Sequence, residues 1–213
     1  MKISYQILCK NEDKSLDKLL SFLTTYKDSE DEINICRDKL GENKNTIKIL
    51  EKYKEQINFF EREITHTIHN QKNYLATKAK GDYLFYLDAD ELLEPKFIKN
   101  IKIILKNNSN VDIFFLPRIN IVKGLTEDYA KSRGWKIDSK NRINWPDIQD
   151  RLFKHKKGIK YKEIPHGRLI NYKTKSIFPL EDIYAIYHEK SMEKQQSDNS
   201  WHDNKEKELG LRK

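Results

Sequence analysis

The feature that most limits what this chain can fold into is an alternation within its first 95 residues. Short apolar runs at 3–8, 32–36, 57–60 and 83–87 are separated by stretches of helical periodicity at 15–26, 45–54 and 67–80. Apolar strands joined through helices read as parallel neighbours covered on both faces and connected by right-handed crossovers. Ser15 is placed to cap the first helix, with Leu16, Leu19, Leu20 and Leu23 on one face. The second helix is expected to turn Ile47, Ile49 and Leu50 inward. Gly81 is expected to close the third. Pro95 then opens a fourth helix running to Leu105, and 112–117 is a further strand. The class is α/β, with a mainly parallel, Rossmann-like sheet and flanking helices.

Beyond residue 117 the alternation fails. Residues 123–144 are polar and contain Gly124 and Gly134, and read as a short helix inside a long loop, the kind of segment that tends to carry function. Short strands at 151–154, 160–161, 169–172 and 183–187 are expected to form a smaller mixed or antiparallel subsheet. A polar helix at 191–203 and a frayed tail follow. A chain of 213 residues suits one domain: a ligand-binding half at 1–95, a second half at 96–190 and a terminal helix and tail at 191–213. Its 37% hydrophobic residues, with 11 Tyr and 9 Phe, are enough for a core, and its charges are mixed in sign, so disorder is excluded. No apolar run approaches the roughly 18 residues of a membrane span. The amino terminus does not read as a secretory signal. Cys9 and Cys36, at the ends of two neighbouring strands, read as free thiols of a cytoplasmic protein.

The fourth strand carries the chemistry. Gly81-Asp82-Tyr83-Leu84-Phe85-Tyr86-Leu87-Asp88-Ala89-Asp90-Glu91 is an apolar body followed by three carboxylates in four positions. Ligands of open α/β sheets bind at the carboxyl ends of the strands. Asp88 and Asp90, two residues apart on a chain leaving the sheet, suit one hard cation, Mg²⁺ or Mn²⁺, with positions left open for phosphate oxygens. Acid-x-acid triplets also occur at Glu30-Asp31-Glu32 and Glu61-Arg62-Glu63, but neither leaves a comparable apolar run.

Lys72-Asn73, Ala79-Lys80-Gly81-Asp82-Tyr83 and Leu87-Asp88-Ala89-Asp90-Glu91 together resemble the centre of a family 2 glycosyltransferase of the GT-A fold, most like the small single-domain enzymes of phages and bacteria. The resemblance runs from about Ile3 to His188. It implies a metal-dependent, inverting hexosyltransferase. Such an enzyme moves a sugar from a nucleoside-diphosphate sugar, with a UDP-sugar favoured, to a hydroxyl of a glycan, lipid-linked or other acceptor. It implies Asp90 as the direct metal ligand and Asp88 as a contact to ribose or, through water, to the metal. His188, in Tyr187-His188-Glu189-Lys190, matches a distant histidine ligand and would favour Mn²⁺ over Mg²⁺; the alternative is a surface histidine capping the last helix. Lys10, Asn11 and Glu12 match the segment after the family's first strand. After the second strand the family's aspartate-rich turn is replaced by Arg37-Asp38-Lys39-Leu40-Gly41-Glu42, which leaves Asp38 for the base. Lys72 and Asn73 match a basic-Asn pair near base and diphosphate, with simple exposure as the other reading of Lys72.

The general base has two candidates in Asn144-Trp145-Pro146-Asp147-Ile148-Gln149-Asp150-Arg151-Leu152-Phe153, which resembles a segment of the phage-type members. Asp147 follows a rigid Trp-Pro corner and leads; Asp150 is the rival. Trp135 and Trp145 are either platforms for a pyranose face or core residues. His166, in Ile164-Pro165-His166-Gly167, resembles a Val-His-Glu segment on the acceptor side, with Gly167 standing where the glutamate would be.

Two other classes are open. A nucleotidyltransferase also uses paired aspartates and Mg²⁺, but brings a glycine-rich basic loop where this chain has Cys9-Lys10-Asn11-Glu12-Asp13. A basic nucleic-acid-binding module is suggested by the net charge of +8. The lysines are spread, however, and the densest group (Lys154, Lys156, Lys157, Lys160 and Lys162) has little aromatic interleaving. A solvated basic face is expected, with peripheral contact to an anionic membrane surface next and no nucleic-acid partner.

Overall fold

The computed structural model describes residues 1–40, 44–63, 68–162 and 167–208. The expected alternation is present: β1 (Ile3–Cys9), α1 (Lys14–Tyr26), β2 (Glu32–Asp38), α2 (Lys44–Lys52), β3 (Asn58–Arg62), α3 (Ile68–Ala76) and β4 (Tyr83–Asp88). Then come β5 (Glu91–Leu92), α4 (Pro95–Asn107), β6 (Ile113–Lys123), α5 (Glu127–Ser132) and β7 (Ile143–Lys154). The chain continues through β8 (Lys160–Tyr161), β9 (Leu169–Ile170), β10 (Lys175–Ile177), a 3₁₀ turn at Asp182–Tyr184, β11 (Ile186–Ser191) and α6 (Met192–Glu208).

The main sheet has the order β3-β2-β1-β4-β7-β6-β11-β5, with β10 beside β6. The pairs β1–β2, β2–β3, β1–β4, β6–β10 and β6–β11 are parallel, while β7 runs antiparallel to both β4 and β6 and β5 runs antiparallel to β11. The mixed strands of the second half therefore continue the first sheet, and only β8–β9 stand apart as a two-stranded piece. Ile3, Tyr5 and Ile7 of β1 and Tyr83, Phe85 and Leu87 of β4 share one core with the leucines of α1 and with Phe97, Ile98, Ile101 and Leu105 of α4. Leu84 and Tyr86, one step out of phase on β4, pack on the other face with Phe153, Tyr161 and Leu169. The period of two thus buries both faces of β4 and leaves its end as the exit for polar residues.

Several local expectations are corrected. Helix α1 begins two residues earlier than a cap at Ser15 implies, because Asp13 caps it by accepting the Lys14 N–H. In α2 Leu50 is buried and Ile49 packs against the core as expected, but Thr46 takes the other inward position, its hydroxyl donating to the Glu12 carbonyl (2.7 Å), and Ile47 faces solvent. Helix α3 ends at Ala76, so Gly81 does not close it. Gly81 instead lies against β1, where an added Cβ would meet Ser4 Oγ at 2.6 Å and Ser4 N at 2.7 Å. Strands β6 and β7 are far longer than 112–117 and 151–154. Pro117 falls where the neighbour of β6 changes from β10 to β11, which lets a residue without an N–H sit inside the strand. Residue His188 lies inside β11 rather than after a strand, since that strand starts at Ile186.

Candidate active site

At the carboxyl end of β4 the chain leaves the sheet carrying Asp88 and Asp90 and re-enters as β5 with Glu91. The Glu91 side chain is fully buried. It accepts the Asp88 N–H (2.9 Å), an Arg151 N–H (2.9 Å) and an Arg118 N–H (3.2 Å). Arg151, from β7, also grips Asp88 with both terminal nitrogens, at 2.5 and 3.2 Å. Charges this deeply placed persist only when paired and hydrogen-bonded. Burial by itself would raise the Asp88 pKa, but Arg151, and after it Lys72, outweighs burial and holds the carboxylate far below its ordinary range.

Asp90 stands on the cleft side of the same turn. Its carboxylate is 3.5 Å from His188 Nε2 and 3.6 Å from Lys190 Nζ, both on β11. His188 Nδ1 meets Asn120 Oδ1 at 2.8 Å. An amide oxygen only accepts, so Nδ1 is the donor to Asn120, and Nε2 faces Asp90. Burial pushes the Asp90 pKa up, yet His188 and then Lys190 pull it net downward. Among the described residues no three His, Cys, Asp or Glu side chains converge as a metal-holding group. Asp90 and His188 could supply two ligands, which fits a divalent ion that takes its others from phosphate oxygens and water. Asp88, gripped by Arg151, is not a third direct ligand in this geometry.

Opposite them, β7 presents Asp147. Arg118 donates to it through Nε (2.8 Å), Asn120 through Nδ2 (2.9 Å) and Gln149 through Nε2 (2.6 Å). Burial opposes ionisation of Asp147, but Arg118 foremost, then Asn120 and Gln149, keeps its pKa below the usual value. Asp150 is placed differently. It takes the Leu169 N–H at 2.8 Å, and its carbonyl takes the Tyr161 hydroxyl, tying β7 to the β8–β9 piece. Burial dominates there and raises its pKa.

The two sides enclose an open cleft of about 820 Å³. Glu12, Asp88, Asp90, Asp147 and His188 line it together with Arg118, Asn120 and Trp135, and α6 contributes Lys194, Gln195 and Asp198. Five of the expected site residues and one of the expected platforms are thus brought to one place. The others lie outside its lining. Lys10 is ion-paired with Asp38 at 3.4 Å, beside the Glu12 carboxylate that accepts the Lys10 and Asn11 N–H groups. Lys72 lies over the rings of Tyr161 (4.6 Å) and Tyr86 (5.7 Å), and burial, followed by Arg151, lowers its pKa to about 8. Asn73 gives both ends of its amide to the backbone of Tyr161, so its side chain is engaged in holding β8 to α3. Trp145, joined to Pro146 by a cis bond, is covered by the Arg142 guanidinium at 4.2 Å. His166 lies outside the described residues.

Comparison with known proteins decides the class. The model of the family described as Glycosyl transferase family 2 matches residues 4–174. The chain belongs to that family. The fold agrees: the crystal structure of residues 1–349 of TarS from S. aureus superposes with a TM-score of 0.60 at 16% identity, over 89% of this chain and 60% of that one. The same TarS fragment in complex with UDP-GlcNAc gives 0.60 and 16% over 89% and 58%, and a longer TarS structure gives 0.60 and 15% over 89% and 37%. The chain therefore spans less than two thirds of these neighbours' length. No curated protein matches it at the level of sequence. The family and the fold together give this chain a family 2 glycosyltransferase domain of the GT-A fold.

Sequence reasoning about the transferase missed Glu91, Arg118, Asn120, Arg151 and the α6 contribution. One signal was available: a charged residue inside an otherwise apolar run, as in Leu116-Pro117-Arg118-Ile119-Asn120-Ile121, is out of place unless it has a buried partner.

Proposed function

We propose that this transferase is metal-dependent and inverting, and that it moves a sugar from a nucleoside-diphosphate sugar, a UDP-sugar first among them, to an acceptor hydroxyl. The observation that carries the reading is the cleft itself, with Asp88, Asp90 and His188 on one wall and Asp147, kept ionised by Arg118, on the other. The complex of TarS with UDP-GlcNAc supports the donor class.

In this reading the acceptor oxygen attacks the anomeric carbon while Asp147 takes its proton, and the bond from that carbon to the diphosphate oxygen breaks with its electron pair. Attack from the face opposite the leaving group inverts the centre. Asp90 and His188 would hold a Mn²⁺ or Mg²⁺ ion, which neutralises charge on the diphosphate when bound. Lys72 adds a cation beneath Asp88. Lys10, Asn11, Glu12 and Asp38 border the nucleoside, and Trp135 offers a face to the transferred or accepting sugar. Asp150 and Asn73 support the site from behind it.

The test is a thermal-shift panel of UDP, GDP, CDP and their common sugars, with and without Mn²⁺, on the wild type and on Asp90→Ala. A nucleotide that stabilises the wild type only with Mn²⁺, and leaves Asp90→Ala unmoved, is the expected result. Stabilisation by DNA or RNA and by no nucleotide would overturn the reading.

A further inference from the structure

Five side chains form an unbroken series of alternating charge: Asp88, Arg151, Glu91, Arg118 and Asp147. The links are Arg151 to Asp88 (2.5 Å), Arg151 to Glu91 (2.9 Å), Arg118 to Glu91 (3.2 Å) and Arg118 to Asp147 (2.7 Å). The outer members both line the cleft, and the middle one is not part of its lining. We propose that Glu91 is a positioning residue for the transfer step, its buried carboxylate holding Arg151 and Arg118 together and thereby setting the distance between Asp88 on the donor wall and Asp147 on the acceptor wall. The inference rests on the transfer reading above.

The geometry leaves Glu91 little freedom. Its Oε1 is shared by the two guanidinium groups, and its Oε2 accepts the Asp88 N–H, so the carboxylate also ties down the backbone at the end of β4. Its own backbone is in register with His188 of β11. Arg118 and Arg151 carry like charge, and each holds a cleft carboxylate at its far end. Without a shared anion they repel, and each arginine that moves takes its aspartate with it. A rigid guanidinium fork passes such a displacement on instead of absorbing it. A shift of about 1 Å between reacting groups is enough to slow a reaction on the order of 100-fold.

The test uses the full chain with Mn²⁺, UDP as the binding probe and hydrolysis of UDP-GlcNAc, with water as acceptor, as the reaction. In Glu91→Gln the affinity for UDP is expected to stay within about threefold of wild type while kcat falls on the order of 100-fold. The double variant Glu91→Gln, Asp147→Asn is expected to be no slower than Asp147→Asn alone, because Glu91 acts through Asp147. Losses that multiply in the double variant, or a kcat unchanged in Glu91→Gln, would overturn the proposal. If Glu91→Gln does not fold, Arg118→Lys enters the same cycle, since it keeps the charge and removes the fork; multiplying losses there overturn it equally. A wild type that neither binds UDP nor turns over the donor overturns the transfer reading instead.

Discussion

His188 is held by Asn120, its Nδ1 2.8 Å from the amide oxygen. The same amide gives its nitrogen to Asp147 at 2.9 Å, so one neutral side chain orients both an imidazole and a carboxylate of the cleft. Partners of this kind behind a ligating histidine raise metal affinity by about 10–100-fold. Asn120→Ala is therefore expected to weaken UDP binding in the presence of Mn²⁺ by about that factor and to leave metal-free UDP binding unchanged. Titration calorimetry with and without Mn²⁺ reads both. An equal loss in both conditions would show that Asn120 does not act through the ion.

The two carboxylates of β7 separate by surroundings. Asp147 faces the cleft with three donors keeping it ionised, whereas Asp150 accepts a backbone N–H behind it. Asp147→Asn is expected to lower turnover by about 100- to 10,000-fold, the usual weight of a general base, with little change in melting temperature. Asp150→Asn keeps an acceptor for Leu169 and removes a carboxylate whose charged form burial disfavours. It is expected to retain most of the turnover and to melt no lower than wild type. Comparable kinetic losses in both variants would return Asp150 to the role of base.

How much of this was legible follows from what each residue contacts. The parallel half was readable because β1, β2 and β4 are buried on both faces, and continuous runs such as Tyr83 to Leu87 have no other use. Asp88, Asp90, His188 and Asp147 were singled out because their positions match a family pattern, and the structure sets all four in the lining of one cleft. Ile47 was not, since α2 sets Thr46 inward to reach a backbone carbonyl of the loop after β1, a contact no helical periodicity contains. Long strands β6 and β7 were hidden by Pro117 and Pro146, residues that normally end strands. The part played by Glu91 was hidden because the arginines that make its burial tolerable are 27 and 60 residues away in sequence. Short-range patterns carry elements; paired buried charges are set by the sheet order.

Gly81 is where the reading of a helix stop met a different constraint. A methyl group there would stand 2.6 Å from Ser4 Oγ, 2.7 Å from Ser4 N and 2.9 Å from the Lys2 carbonyl. Two of those atoms are backbone, of Ser4 in β1 and of Lys2 just before it, and cannot swing away. Gly81→Ala is thus expected to destabilise by about 1–3 kcal/mol, the range for overpacking, and to lower the melting temperature by several degrees. The substitution also crowds the Ser4 hydroxyl that accepts the Gly81 N–H at 2.9 Å. Equilibrium denaturation checks the magnitude. A variant as stable as wild type would mean that β1 and the entry to β4 can part without cost.

Asp112 sets a pH dependence remote from the cleft. At the entry to β6 it accepts Lys156 Nζ at 2.6 Å and the Lys173 N–H at 2.9 Å. Those two bonds, Lys156 first, lower its pKa to about 2. A carboxylate whose pKa is depressed in the folded state stabilises above its unfolded value, near 3.9, and that contribution is lost as the pH falls from about 4 toward 2. A shift of this size corresponds to at most about 2.5 kcal/mol; with Lys156 more than half exposed, solvent screening reduces the expectation to about 1 kcal/mol. Asp112→Asn is expected to melt about 2–4 °C below wild type at pH 7 for a chain of this size. The gap should narrow as the pH drops below about 4, because protonation then does to wild type what the substitution has already done. Melting curves at pH 7, 4 and 3 measure it, and a gap that stays constant across them would assign the loss to packing rather than to the charge.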